Sequence, residues 1–156
     1  MVPPRLTLPG GARIVRIVDN RSLVGGFRKG PHMVTAVRRD EAQVFELPGR
    51  EWLLYVGPET TGARNLTVGW ATFPAGSAPP GHVHPTQEET IYIISGYGQL
   101  VTPDGTVDLE PGTAVYIPIG LHHATVSSGP GPLEMVTAFS PPVVPGSYED
   151  PSRSNT

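Results

Sequence analysis

Four residues able to ligate a metal ion fall within residues 82–89, HVHPTQEE: His82, His84, Glu88 and Glu89. His82 and His84 are two apart. On an extended strand that spacing puts both side chains on one face, with backbones about 7 Å apart along the strand. Two imidazoles so placed can converge on one ion at about 2 Å each. A helix would need the i, i+4 spacing of two histidines instead, and Pro79, Pro80, Gly81 and Pro85 around the pair exclude a helix. A single histidine here would read as an ordinary loop residue. Two in this register, followed by carboxylates, form a metal-ligand pattern.

The surrounding elements must bring a carboxylate to the pair. Residues 85–88, PTQE, read as a hairpin loop, and residues 89–95, ETIYIIS, as a strand rich in β-branched and aromatic residues. A short hairpin of this kind predicts Glu89 directly across from the histidines. If Glu89 faces inward, so do Ile91 and Ile93. If Glu88 does, Thr90 and Tyr92 accompany it, and both faces are apolar enough to leave the choice open. A second stretch, residues 112–127, GTAVYIPIGLHHATVS, carries a strand to a Pro-x-Gly turn and then His122 and His123. Adjacent strand residues face opposite ways, so one of these two imidazoles can join the first motif to make three nitrogens and one carboxylate oxygen.

The rest of the chain is 156 residues, one domain's worth, with 19 glycines and 19 prolines punctuating β-like runs at short intervals. That is the pattern of an all-β sandwich or barrel. Strands are expected at 12–18, 33–37, 42–47, 51–57, 65–73, 97–102, 106–110, 113–119, 123–128 and 133–139, with a hairpin signal at Asp104-Gly105. Residues 1–32 read as an N-terminal arm with an outer strand, 33–145 as the barrel, and 146–156 as a flexible polar tail. His32 reads as a surface residue. Charged residues make up 16% of the chain, against about 25% in a typical soluble domain. So little charge predicts much apolar surface, and hence a homodimer. A net charge of −3 without a basic run gives no footprint for nucleic acid. No apolar run approaches the length of a membrane span. The absence of cysteine fits a reducing compartment, and with no signal-peptide pattern at the N-terminus the expectation is a cytoplasmic protein.

With these residues in place the chain resembles the cupins, whose first motif is G-x5-H-x-H-x3–4-E-x6-G and whose second is G-x5-P-x-G-x2-H-x3-N. Gly76, His82, His84, Glu89 and Gly96 match the first; Gly112, Pro118, Gly120 and His123 match the second, with Ser127 where the family often has Asn. The resemblance implies a single-domain jelly-roll β-barrel (a double-stranded β-helix). It implies His82, His84, Glu89 and His123 as metal ligands, with Glu89 and His123 also candidates for catalysis.

Three neutral imidazoles and one carboxylate leave a divalent ion near a net charge of +1, with two positions open in six-coordinate geometry. Such a ligand set suits Fe, Mn, Ni, Co or Zn. The expected function is therefore a metal-dependent enzyme acting on a small enolisable, aromatic or polyketide-like substrate. The two open positions lean toward an O2-dependent dioxygenase. The alternatives are a Lewis-acid cyclase, isomerase or decarboxylase, and third, a non-catalytic ligand-binding module. Gln87, Glu88 and His122 flank the ligands and read as solvated or supporting residues. Trp70, Phe73, Tyr92 and Tyr116 could line a pocket but read first as core.

Overall fold

The computed structural model describes residues 13–16 and 34–145. His32, the remainder of the N-terminal arm and the tail from 146 onward lie outside the described residues. The strands are β1 (Arg13–Arg16), β2 (Gln43–Leu47), β3 (Arg50–Val56), β4 (Thr67–Phe73), β5 (Glu88–Ser95), β6 (Gly98–Thr102), β7 (Gly105–Leu109), β8 (Ala114–Ile117), β9 (Ala124–Ser127) and β10 (Leu133–Ser140). They form a seven-stranded sheet in the order β1-β2-β3-β4-β10-β5-β8 and a three-stranded sheet in the order β7-β6-β9. Every pairing is antiparallel, and there is no helix among the described residues. The fold is the all-β jelly roll expected from the sequence.

Alternation along each strand builds the core. On β5, Glu89, Ile91 and Ile93 are buried, while Glu88, Thr90 and Tyr92 are exposed. On β10, Leu133, Met135, Thr137 and Phe139 face in, and on β4, Thr67, Gly69, Ala71 and Phe73 do so. The apolar ones, Ile91, Ile93, Leu133, Met135, Phe139, Ala71 and Phe73, meet Phe45, Trp52, Leu54, Leu100, Leu109 and Ile117 in one cluster. Burial of each large side chain contributes about 1.5–3 kcal/mol. Glycine is required where Trp52 lies flat across β4. A Cβ on Gly69 would stand 2.3 Å from the Trp52 ring, and from that position the indole Nε1 donates to Thr137 Oγ1 at 2.9 Å.

Tyr92 and Tyr116, expected in the core, are 45% and 61% exposed, because each falls on the outward parity of its strand; two expectations about strands and turns also fail. Residues 34–38 form no strand. Of the strand expected at 33–37, Met33 lies outside the described residues; residues 34–37 join no sheet, and Val34 is 90% exposed; alternation without a neighbouring sheet edge does not fix a strand. Nor do the residues after His84 close a hairpin onto Glu89. Residues 82–84 pair instead with the segment around His123, with His82 N–H donating to His123 O at 2.9 Å and His123 N–H returning to His82 O at 3.0 Å. Glu89 is paired in the other sheet, between Ile117 and Phe139.

The Trp52–Gly69 contact yields a direct test. Gly69→Ala is expected to lower stability by about 1–3 kcal/mol through overpacking, read as a lower urea midpoint. The near-UV circular dichroism of the displaced indole should change with it. An unchanged midpoint would show that Trp52 does not need that approach.

Candidate metal centre

The reciprocal pairing of residues 82–84 with His123 sets two imidazoles on one extended segment beside a third on its neighbour. The parity expected of the HxH spacing holds. The His82 and His84 rings lie 4.9 Å apart, centroid to centroid, and that of His123 lies 4.5 Å from His82 and 5.6 Å from His84. Glu89, from the facing sheet, completes the group; one candidate ligand atom from each of the four lies within 4.8 Å of all the others.

Three of the separations are informative. His82 Nε2 is 3.2 Å from His84 Nε2, and Glu89 Oε2 is 3.3 Å from Nε2 of both His84 and His123. Atoms each about 2.1 Å from a common ion, at angles between octahedral and tetrahedral, stand about 3.0–3.4 Å apart. Glu89 Oε2 is also fully buried and receives no well-directed hydrogen bond. A buried anionic oxygen facing three imidazole nitrogens fits a divalent cation at their common centre.

The electrostatics point the same way. Burial acts to raise the pKa of Glu89, but the imidazoles of His123 and His84 outweigh it and hold the carboxyl down at about 2. Burial is the main cause lowering His82 to about 2, helped by the charges of His123, Arg50 and His84. Its imidazole is therefore neutral and able to ligate. For His123 burial works downward and is overcome by Glu89 and the Leu121 carbonyl, leaving its pKa raised. His123 Nδ1 donates to Leu121 O at 2.9 Å, which fixes the tautomer and aims the Nε2 lone pair at the cluster. The His84 ring packs against Phe139 at 5.1 Å.

The cluster opens on a pocket of about 620 Å³, its solvent-open mouth included. Trp52, Phe73, Met135 and Phe139 wall it, and Arg50, Thr125 and Thr137 add polar groups. Phe73 is thus a lining residue. Trp70, Tyr92 and Tyr116 are not, and Tyr116, 61% exposed, donates to Glu88 at 2.8 Å on the outer face. Glu88 therefore points away from the cluster. Gln87 reaches Pro142 O at 3.5 Å. His122 lies over Gly81, where a Cβ would meet its ring at 2.4 Å; the second imidazole of the pair is turned out, as strand parity demands. Arg50, Trp52 and Thr137 were not singled out in the sequence. Arg50 and Trp52 do share a face of β3, but that face could not be assigned without the strand's partners.

Removing one ligand should abolish metal binding and leave the barrel intact. His84→Ala is expected to weaken binding of Zn(II) or Mn(II) by more than about 100-fold, since changes to groups merely supporting a ligand already cost about 10–100-fold. Calorimetric titration measures this, and an unchanged far-UV spectrum serves as the control for folding. Retained one-to-one binding would sink the assignment.

Residues 69–139 match the cupin domain family (Cupin_2). A stretch of 80 residues is 32% identical to an uncharacterised protein of Methanocaldococcus jannaschii, and covers 51% of this chain and 62% of that protein. Among solved structures, the polyketide cyclase RemF from Streptomyces resistomycificus is similar with a TM-score of 0.61 and 23% identity, over 69% of this chain and 80% of RemF. A predicted oxalate decarboxylase from Thermotoga maritima gives 0.60 and 19%, over 68% and 98%. KdgF from Halomonas sp. gives 0.59 and 21%, over 69% and 94%. At these identities the structures share the fold. Among the described residues no helix is long and apolar enough to cross a membrane. The matched segment, the jelly-roll topology and the His/Glu cluster between its sheets together identify residues 69–139 as a cupin domain.

Proposed function

We propose that the protein is a metal-dependent enzyme that promotes enolisation of a small diketone or polyketide-like substrate, leading to cyclisation, isomerisation or decarboxylation. The observation that carries this reading is the position of the four-residue cluster, at one side of a pocket walled by Trp52, Phe73 and Phe139. His82, His84, Glu89 and His123 would hold the ion, which when bound supplies Lewis acidity toward a carbonyl oxygen. The aromatic wall takes up the apolar body of the substrate and excludes water from the reacting end. Thr137 Oγ1 accepts the Trp52 indole proton, so the hydroxyl keeps its own proton as a donor toward a substrate oxygen. The presence of a polyketide cyclase and a predicted decarboxylase among proteins of this fold supports non-oxidative chemistry.

O2-dependent dioxygenation is the second reading. It is favoured by the count of four candidate protein ligands, which on a six-coordinate ion would leave two positions for other ligands.

Benzoylacetone separates the two. Diluted from an organic solvent into buffer, it relaxes toward its aqueous keto–enol equilibrium with a measurable loss of enol absorbance. The zinc-loaded protein is expected to accelerate this relaxation at least tenfold with O2 excluded, and His84→Ala to leave it at the buffer rate. O2 consumption by the iron-loaded protein, with no acceleration by the zinc-loaded one, would overturn enolisation in favour of dioxygenation.

A further inference from the structure

Among the described residues that line the pocket, Arg50 is the one lysine or arginine. Its place is built by the β2–β3 hairpin. Leu47 and Arg50 pair across a two-residue Pro48-Gly49 turn, with Gly49 at a φ of +68°. The turn is docked against the approach to the metal centre. A Cβ on Gly49 would fall 2.9 Å from Pro79 Cβ, and Ser77 Oγ donates to Gly49 O. The first residue of β3 is thereby fixed beside the segment that carries His82 and His84.

The Arg50 side chain is held from two directions. Its guanidinium carbon lies 5.7 Å from the centre of the Phe73 ring, and Nη1 donates to Pro48 O at 3.3 Å. A planar fork of donors anchored this way is suited to a carboxylate, which it can meet with two parallel bonds. With a divalent ion held by three neutral imidazoles and Glu89, the cluster carries a net charge near +1, and Arg50 adds another. A low-dielectric pocket of that charge favours an anion over a neutral molecule of the same shape.

We propose that Arg50 forms an anion subsite in the pocket wall, holding a carboxylate of the substrate while the substrate's chelating oxygens face the four-residue cluster. This rests on the functional reading above and narrows its substrate class to diketo or polyketide-like acids. Arg50 acts here in binding and orientation.

The test is a matched pair of probes. Benzoylpyruvate and benzoylacetone share a phenyl ring and an enolisable, chelating 1,3-diketone, and the first carries a carboxylate where the second has a methyl group. Isothermal titration of both into zinc-loaded protein is expected to show benzoylpyruvate binding at least about tenfold more tightly, as befits a charged hydrogen-bonded pair. In Arg50→Gln that preference should shrink to within about twofold, with benzoylacetone affinity little changed; the latter, with the bound zinc per chain, reports that the pocket is folded. Arg50→Lys should restore part of the preference. Equal affinity for the two probes in the wild type, or a preference that survives in Arg50→Gln, would overturn the subsite alone and leave the functional reading standing. Failure of both probes to bind the zinc-loaded wild type would overturn the functional reading, and the subsite with it.

Discussion

A carboxylate buried to 7% exposure must be compensated, and much of the architecture around Glu89 serves that requirement. An uncompensated buried charge costs several kcal/mol. Here the partners come from the far side of the barrel, because strand β5 on which Glu89 sits belongs to the larger sheet and the histidines belong to segments flanking the smaller one. The reciprocal backbone bonds between His82 and His123 therefore do more than close a sheet edge. They hold three imidazoles in the one arrangement that meets a carboxylate crossing the core. Gly120 N–H adds a bond to His84 O at 2.9 Å, so the Pro-x-Gly turn of the second motif fastens the end of the first.

The pocket wall rests on a second contact, the hydrogen bond that satisfies the buried indole N–H of Trp52. Its Nε1 meets Thr137 Oγ1 with the ring lying against Gly69. The same ring lines the pocket together with Phe73 and Phe139. Trp52 packs on Phe139 edge-on at 6.3 Å, and Phe139 in turn supports His84. Pocket shape and imidazole orientation thus share one run of ring contacts.

The clearest information in the sequence concerned local periodicity. The HxH spacing put His82 and His84 on one face, and the burial of Glu89, Ile91 and Ile93 follows the alternation available in ETIYIIS. That alternation did not choose between Glu88 and Glu89. The choice came from the resemblance to the cupin motifs, and the structure places Glu89 with the histidines and Glu88 against Tyr116. What was hidden depended on pairing between distant strands. A hairpin at 85–88 was the simplest way to bring Glu89 to the histidines, and it is wrong because His82 has a better backbone partner 41 residues further on. Residues 33–37 alternate well enough for a strand, yet alternation carries no information about whether a sheet edge is within reach. Arg50 was hidden for the same reason: its relevance lies in the docking of a Pro-Gly turn against Pro79, a contact that no local pattern encodes.

The pocket that results combines polar and apolar lining. The four-residue cluster, Arg50 and the threonines share it with apolar walls, and a ligand with a chelating head and an apolar body can lie in it in few ways. In the proposed reaction orientation would then be settled before any bond changes, and the entropy of alignment met on binding, not at the barrier. It also gives the proline-rich approach to the histidines a physical role. Pro79 and Pro80 line the pocket and precede His82, and their fixed φ angles reduce the freedom of a segment that would otherwise have to be ordered each time an ion or substrate bound. A loop of glycines and serines could reach the same place, but it would hold the first imidazole less firmly. Rigidity next to the histidines suits a cluster whose four members must keep fixed positions to hold an ion.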